Sequence, residues 1–258
     1  VLMDATAPTV TIEQAATADV TQQDPTNDPL ITFIITFSEA INPSTFSTVD
    51  IEQTTGAGFA TGISWNLSTD DNITWILQTT SVANDGIVKP EVKDSVVEDQ
   101  SGNLVPGSED DADASPTDNA VVLDRVAPTV SVGADLAGNT ATVLSNASAS
   151  DDLTMTYLWE KTGGGANFSF DDATTLNPTF SATATDVYTL RLTVTDAAGN
   201  TASDSLDFDW DESAASVGID APAAGTYING ANESSFAVTG TCSEDDRDVV
   251  LTGDASAT

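Results

Sequence analysis

The chemistry open to this chain is that of carboxylate oxygens. Asp and Glu number 41 against 6 Lys and Arg, the formal charge is -35, histidine is absent, and Cys242 is the single cysteine. Without imidazole there is no Ser-His-Asp triad, no His general base and no His-ligated zinc. One thiol forms neither an intrachain disulfide nor a thiolate zinc site. A hard cation is what remains, and Ca²⁺ takes roughly six to eight oxygens from carboxylates and carbonyls. Among so many acids some pair falls at a glycosidase spacing by chance, so paired carboxylates carry no catalytic reading. The expectation is a protein that is not an enzyme. Its acidic surface repels nucleic acid and anionic membranes.

Two sequence echoes pick out the candidate ligands. Asp4-Ala-Thr-Ala-Pro-Thr-Val10 returns as Asp124-Arg-Val-Ala-Pro-Thr-Val130, and Asp99-Gln-Ser-Gly-Asn103 returns as Asp196-Ala-Ala-Gly-Asn200. The first pattern suits an extended linker, because proline fixes φ and pushes its neighbour toward β. The second suits a tight turn, following an alternating strand as a hairpin would, in which Gly102 or Gly199 takes a left-handed conformation and the aspartate caps backbone amides. Asp4 and Asp124 would then stand where domain ends meet. Asp99 and Asn103, or Asp196 and Asn200, could converge on them from neighbouring loops. Calcium held there would cross-link domains and relieve like-charge repulsion. The same residues also serve as plain turn caps, and both readings stay open at this point.

Other motifs fail on their own terms. Asp207, Asp209, Asp211 and Glu212 imitate the start of an EF-hand loop, but Glu212 stands where glycine is needed and Gly218 where the bidentate glutamate belongs. The segment around Asp111 and Asp113 has Pro116 at the glycine position. Gly163-Gly164-Gly165 lacks the Lys-Ser or Lys-Thr of a phosphate loop and predicts a flexible hairpin. Cys242 shares a face with Phe236 and Val238, as a small buried hydrophobe does. Asn66, Asn72, Asn146, Asn167 and Asn232 head Asn-x-Ser/Thr triplets at about the frequency a Ser- and Thr-rich chain yields by chance.

The elements that must position these residues are strands. Short β-branched and aromatic runs alternate with turn residues about every 8–12 positions, the pattern of a sandwich. In Asp186–Asp196, Tyr188, Leu190, Leu192 and Val194 point one way and Thr189, Arg191, Thr193 and Thr195 the other. Leu206, Phe208 and Trp210 oppose Asp207, Asp209 and Asp211, while Met155, Tyr157 and Trp159 alternate along a third strand. The chain therefore reads as all-β: tandem Ig-like β-sandwich domains in a linear array, with one domain over 1–125 and a second over 126–212. A third begins at 213–258, too short for a sandwich of about 100 residues, either cut there or completing another molecule's sheet. The acidic run 107–119 is expected to join the last two strands of the first domain. No apolar run approaches the ~20 residues that span a bilayer, and an opening on Val-Leu-Met without a basic or apolar leader reads as a piece of a longer protein.

The segments Tyr157-Leu-Trp-Glu-Lys161, Val187–Asp196 and Asp196-Ala-Ala-Gly-Asn200 make the middle region resemble a polycystic-kidney-disease-type (PKD) Ig-like domain. Asp186-Val-Tyr188-Thr-Leu190 resembles the Ig tyrosine corner, which implies that Trp159 is the core tryptophan of strand C. The run Ile35–Ile41, the turn at Asp99 and the Ala-Pro-Thr-Val exit resemble bacterial Ig-like repeats of surface-layer proteins and large adhesins. Residues 226–244 resemble the start of another such repeat. These resemblances imply a non-catalytic spacer in a large extracellular or cell-surface adhesin, with calcium as the one cofactor at domain joints. The implied partners are other domains of the same long chain, and a protein or glycan adhesion target bound by domains outside this segment. The alternatives are an accessory module of a secreted hydrolase, or a surface-layer or filament subunit that exchanges strands.

Overall fold

The computed structural model describes residues 4–16, 22–107, 119–213, 216–221 and 239–242. Strands dominate them, and the one helical element among them is a 3-10 turn at Thr48–Asp50. The first domain contains β1 (Val10–Gln14), β2 (Thr32–Phe37), β3 (Ile51–Gln53), β4 (Ser64–Thr69), β5 (Thr74–Ser81), β6 (Gly86–Val88), β7 (Pro90–Val92) and β8 (Val121–Leu123). The second contains β9 (Thr129–Ser131), β10 (Leu136–Gly138), β11 (Thr142–Val143), β12 (Ser148–Ser150), β13 (Met155–Lys161), β14 (Phe168–Phe170), β15 (Thr179–Ala182), β16 (Asp186–Asp196) and β17 (Thr201–Trp210). Beyond it, β18 (Val217–Ala221) pairs antiparallel with β19 (Thr239–Cys242).

Each domain has its own apolar core. In the first, the sheet β1-β2-β5-β4 covers the short pairs β3-β7 and β6-β8. Phe33, Ile35 and Phe37 of β2 and Leu77 of β5 are fully buried, and Phe46 stacks edge-on against both Phe37 and Trp75. In the second, the sheet β10-β17-β16-β13 faces β11-β15-β14. Phe180 is the hub of that core, with Phe208, Tyr188, Phe170 and Trp210 around it. The two buried clusters run from Ile12 to Leu123 and from Val132 to Trp210 without a shared residue. Burying each such aromatic contributes about 1.5–3 kcal/mol over leaving it in water. The protein is all-β, a tandem of Ig-like sandwiches.

Period-two patterning sets the long strands. Alternate residues of β16 are buried from Tyr188 to Val194, and those of β17 from Leu206 to Trp210. Tyr188 donates its hydroxyl to the Ala184 carbonyl at 2.9 Å, the bond of a tyrosine corner. Trp159, 2% exposed, donates Nε1 to the Leu176 carbonyl at 3.2 Å.

Two expectations change. Gly163–Gly165 is no loose hairpin: its backbone lies against β16, where a Cβ on Gly164 would come within 2.5 Å of the Val187 carbonyl oxygen. Glycine is there because the backbones approach too closely for any side chain. The turn at Asp99 does not cap a long hairpin, as its counterpart between β16 and β17 does. It closes single bridges, Glu98 with Leu104 and Ile41 with Asp99. The strand pattern beside it is interrupted by Asp94-Ser95 on one side and Pro106 on the other, and proline donates nothing to a ladder. Most of the acidic run 107–119, and Phe236 and Val238, lie outside the described residues, as does the environment of Cys242.

Candidate functional site

Each domain begins with the same piece of backbone geometry. Asp4 Oδ1 accepts the Thr6 amide at 3.0 Å, and Asp124 Oδ1 accepts the Val126 amide at 2.9 Å. These are Asx turns, in which the short carboxylate stands in for a backbone carbonyl. The buried Pro8 and Pro128 follow and lead into β1 and β9.

The echoed turns come up beside them. Asp99 accepts the Ser101 amide (2.7 Å) and the Asn103 amide (2.8 Å) on Oδ1, and Asn103 Nδ2 (2.7 Å) on Oδ2. Asp196 likewise accepts the Asn200 amide on Oδ1 and Asn200 Nδ2 on Oδ2, both at 2.8 Å. Gly102 and Gly199 sit at φ +87° and +95°, the left-handed position that the spacing demanded. Both aspartates are buried, at 2% and 5% exposure. Their hydrogen bonds account for a carboxylate surviving there.

A third acid completes each group. Glu39 joins Asp4 and Asp99, and Asp151 joins Asp124 and Asp196. In each trio one oxygen per residue lies within 4.8 Å of the other two. Two ligands on opposite sides of a calcium ion, at ~2.3–2.6 Å each, stand about 4.6–5.2 Å apart, so the spacing fits one shared cation. Asn103 and Asn200 turn their amide nitrogens toward the aspartates, and each also donates to the linker. Asn200 Nδ2 reaches the Asp124 carbonyl at 2.9 Å, and Asn103 Nδ2 reaches the Asp4 carbonyl at 3.4 Å.

Burial, and second to it the crowding of like charges, shows in the acid–base behaviour. Burial, then the charges of Asp151, Asp196 and Asp85, push the Asp124 carboxyl above its ordinary range against the opposing Val126 hydrogen bond. Burial, then Asp4 and Asp99, push Glu39 up in the same way. Desolvation also works against Asp99, but hydrogen bonds from Asn103, Ser101 and Gly102 outweigh it and hold that carboxyl below the usual range. Divalent charge at either trio would remove the repulsion that these shifts record.

Glu39 and Asp151 were not among the residues that the echoes selected. Each lies within two residues of the end of the strand that pairs with the domain's first strand, β2 with β1 and β12 with β9. The signal was Ser38-Glu39 against Ser150-Asp151. A third linker was also legible: Asp211-Glu-Ser-Ala-Ala-Ser-Val217 repeats the Asp, the Ala and the hydroxyl-Val ending of the other two. Asp211 Oδ1 accepts the Ser213 amide at 2.8 Å, the same Asx turn, six residues before β18 as Asp124 is before Val130.

The fold defines a class, tandem Ig-like β-sandwiches, which are structural modules. Within it, residues 131–208 match a family model described as a PKD domain, so the second sandwich is a PKD-type Ig-like domain. No curated protein matches the chain. Among solved structures, the PKD domain from KIAA 1837 protein is 25% identical, with a TM-score of 0.28, covering 33% of this chain and 89% of its own. The N-terminal part of the bacterial S-layer protein SbsC is 12% identical with a TM-score of 0.29, covering 81% of this chain and 45% of its own. Protocadherin gammaB7 EC3-6 is 13% identical with a TM-score of 0.31, covering 84% and 54%. The chain thus spans about half the length of these last two. No helix among the described residues is long and apolar enough to cross a membrane.

Proposed function

We propose that this chain is a non-catalytic spacer of a larger extracellular or cell-surface protein, an adhesin, in which calcium binds at the domain entrances and stiffens the array. The observation that supports this most is the duplication. One linker aspartate, one acid beyond the strand that pairs with the domain's first strand, and one buried turn aspartate are assembled at both entrances from parts distant in sequence. A carboxylate trio of this kind carries a net repulsion that a divalent ion converts to attraction. The neighbouring sandwiches are the partners the segment acts on directly, and target binding belongs to other parts of the protein. The surface charge keeps such an array soluble and apart from nucleic acid.

Calorimetric titration of the chelator-treated chain with Ca²⁺ tests the cation. Two binding events are expected, with Asp99→Asn removing one and Asp196→Asn the other. Calcium should also raise the melting temperature of the unmodified chain. No heat and no melting shift would overturn the calcium reading.

A further inference from the structure

Linker residues 124 and 125 are gripped from both sides. The Asp124 amide donates to the Thr26 carbonyl at 2.9 Å, in the first domain. The Arg125 amide donates to Asp85 Oδ2 at 2.8 Å, and Arg125 Nε donates to Asp85 Oδ1 at 2.6 Å. Arg125 Nη2 reaches the Val82 carbonyl at 3.3 Å, so one arginine closes a fork on the loop before β6. From the second domain, Asn200 Nδ2 donates to the Asp124 carbonyl at 2.9 Å while anchored to Asp196. The turn behind it also faces the first domain, since a Cβ on Gly199 would lie 3.6 Å from Asn27 Nδ2.

The Asp124 carbonyl and the Arg125 amide are the two ends of one peptide group. A peptide group is planar, with no soft torsion between its oxygen and its nitrogen. The second domain therefore holds one end and the first domain the other end of a single rigid plate. A linker gripped only at its extremities keeps two free torsions per residue; this one has none between the grips.

We propose that the Asp124–Arg125 peptide is a metal-independent latch that fixes the orientation of the first two sandwiches, with Asp85, Arg125 and Asn200 as its positioning residues. This rests on the spacer reading, and it assigns the direction of the array to hydrogen bonds on the linker backbone. A cation bound by the carboxylates adds to the strength of the joint and leaves its angle unchanged. At the entrance to the first domain the arginine is replaced by Ala5, so this fork belongs to the internal joint.

Residual dipolar couplings on the whole chain test it, in chelator and in calcium. In chelator, one alignment tensor is expected to describe both sandwiches of the unmodified chain. Asp85→Ala, which removes no member of either carboxylate trio and leaves the turn of Asn200 in place, should split it into two, and Asn200→Ala should do the same. Arg125→Lys should partly preserve the single tensor, because the backbone bond survives without the fork. Each variant should keep a cooperative melting transition for each domain, a readout that a merely structural defect would change. Two tensors in the unmodified chain in chelator that merge when calcium is added would overturn the latch and leave the calcium reading standing. One tensor in chelator without any calcium binding would sustain the latch and defeat the calcium reading. A single tensor in folded Asp85→Ala and Asn200→Ala would also overturn the latch.

Discussion

The two acid trios share a plan and differ in what surrounds them. At the internal joint the Asn200 amide sits 2.9 Å from the linker carbonyl, and Arg125 ties the next peptide nitrogen to Asp85. At the entrance to the first domain the matching Asn103 contact is 3.4 Å, and Ala5 occupies the arginine's place. The proton preference moves as well. Glu39, after the second strand, is the acid pushed up at the entrance, whereas the linker's Asp124 is pushed up at the joint. Repeating a motif fixes the acid-bearing backbone; the surroundings of each entrance decide how tightly the linker is held and which acid burial and neighbouring charge push up.

That comparison can be broken most severely from beneath. Trp159→Ala removes a buried ring from the second core and should cost about 3–5 kcal/mol. In scanning calorimetry the second domain's transition should fall and the joint trio be lost with it, while the first domain and its trio persist. An unmoved transition would place the ring outside the core. Next come the two asparagines. Asn103→Ala and Asn200→Ala each deprive a buried carboxylate of a charge-assisted bond, about 1.5–3 kcal/mol. Chemical denaturation should assign the first loss to the first domain and the second loss to the second.

A smaller and more even effect is expected at the turn glycines. Gly102→Ala and Gly199→Ala both force a side chain into left-handed backbone, about 1–2 kcal/mol each. Neither new Cβ meets an atom closer than the 3.6 Å of Asn27. Unequal losses would show that the turns are not equivalent.

Protonation gives the finest discrimination. A carboxyl whose folded pKa is raised disfavours its own ionised form in the folded state. That penalty is present at neutral pH and is relieved as pH falls through the folded pKa, which lies above the group's ordinary value. Mild acidification should therefore relieve strain at Asp124 and Glu39. Stronger acid should then destabilise the fold as Asp99 and Asp171 protonate, since hydrogen bonds lower their folded pKa and their contribution disappears below it. Carboxyl NMR titration should show Glu39 protonating above Asp99 in the entrance trio, with Asp124 above the ordinary aspartate range at the joint. The reverse order at the entrance, or an unshifted Asp124, would contradict the burial and repulsion described here.

Much of this was legible because it is local. Alternation along Tyr188–Val194 names the buried face of β16 without reference to any partner, since successive side chains of a strand must point opposite ways. The two Asp-to-Asn turns and the Ala-Pro-Thr-Val linkers carry their conformations in their own glycines, prolines and short acids. Four of the six trio residues, Asp4, Asp99, Asp124 and Asp196, lie in those local signals. Glu39 and Asp151 do not, because their place depends on strand pairing between segments remote in the chain.

By itself, then, the sequence determined the strand period, the Asx linkers, the left-handed glycine turns and the absence of imidazole and disulfide chemistry. Each is a matter of a few adjacent torsions or of composition. Tertiary structure alone decided which third acid joins each pair, that Asn200 and Asp85 meet the two ends of one peptide group, and that burial and neighbouring charge push Glu39 and Asp124 up. Those outcomes turn on distances between residues tens of positions apart, and only packing the sandwiches together sets them.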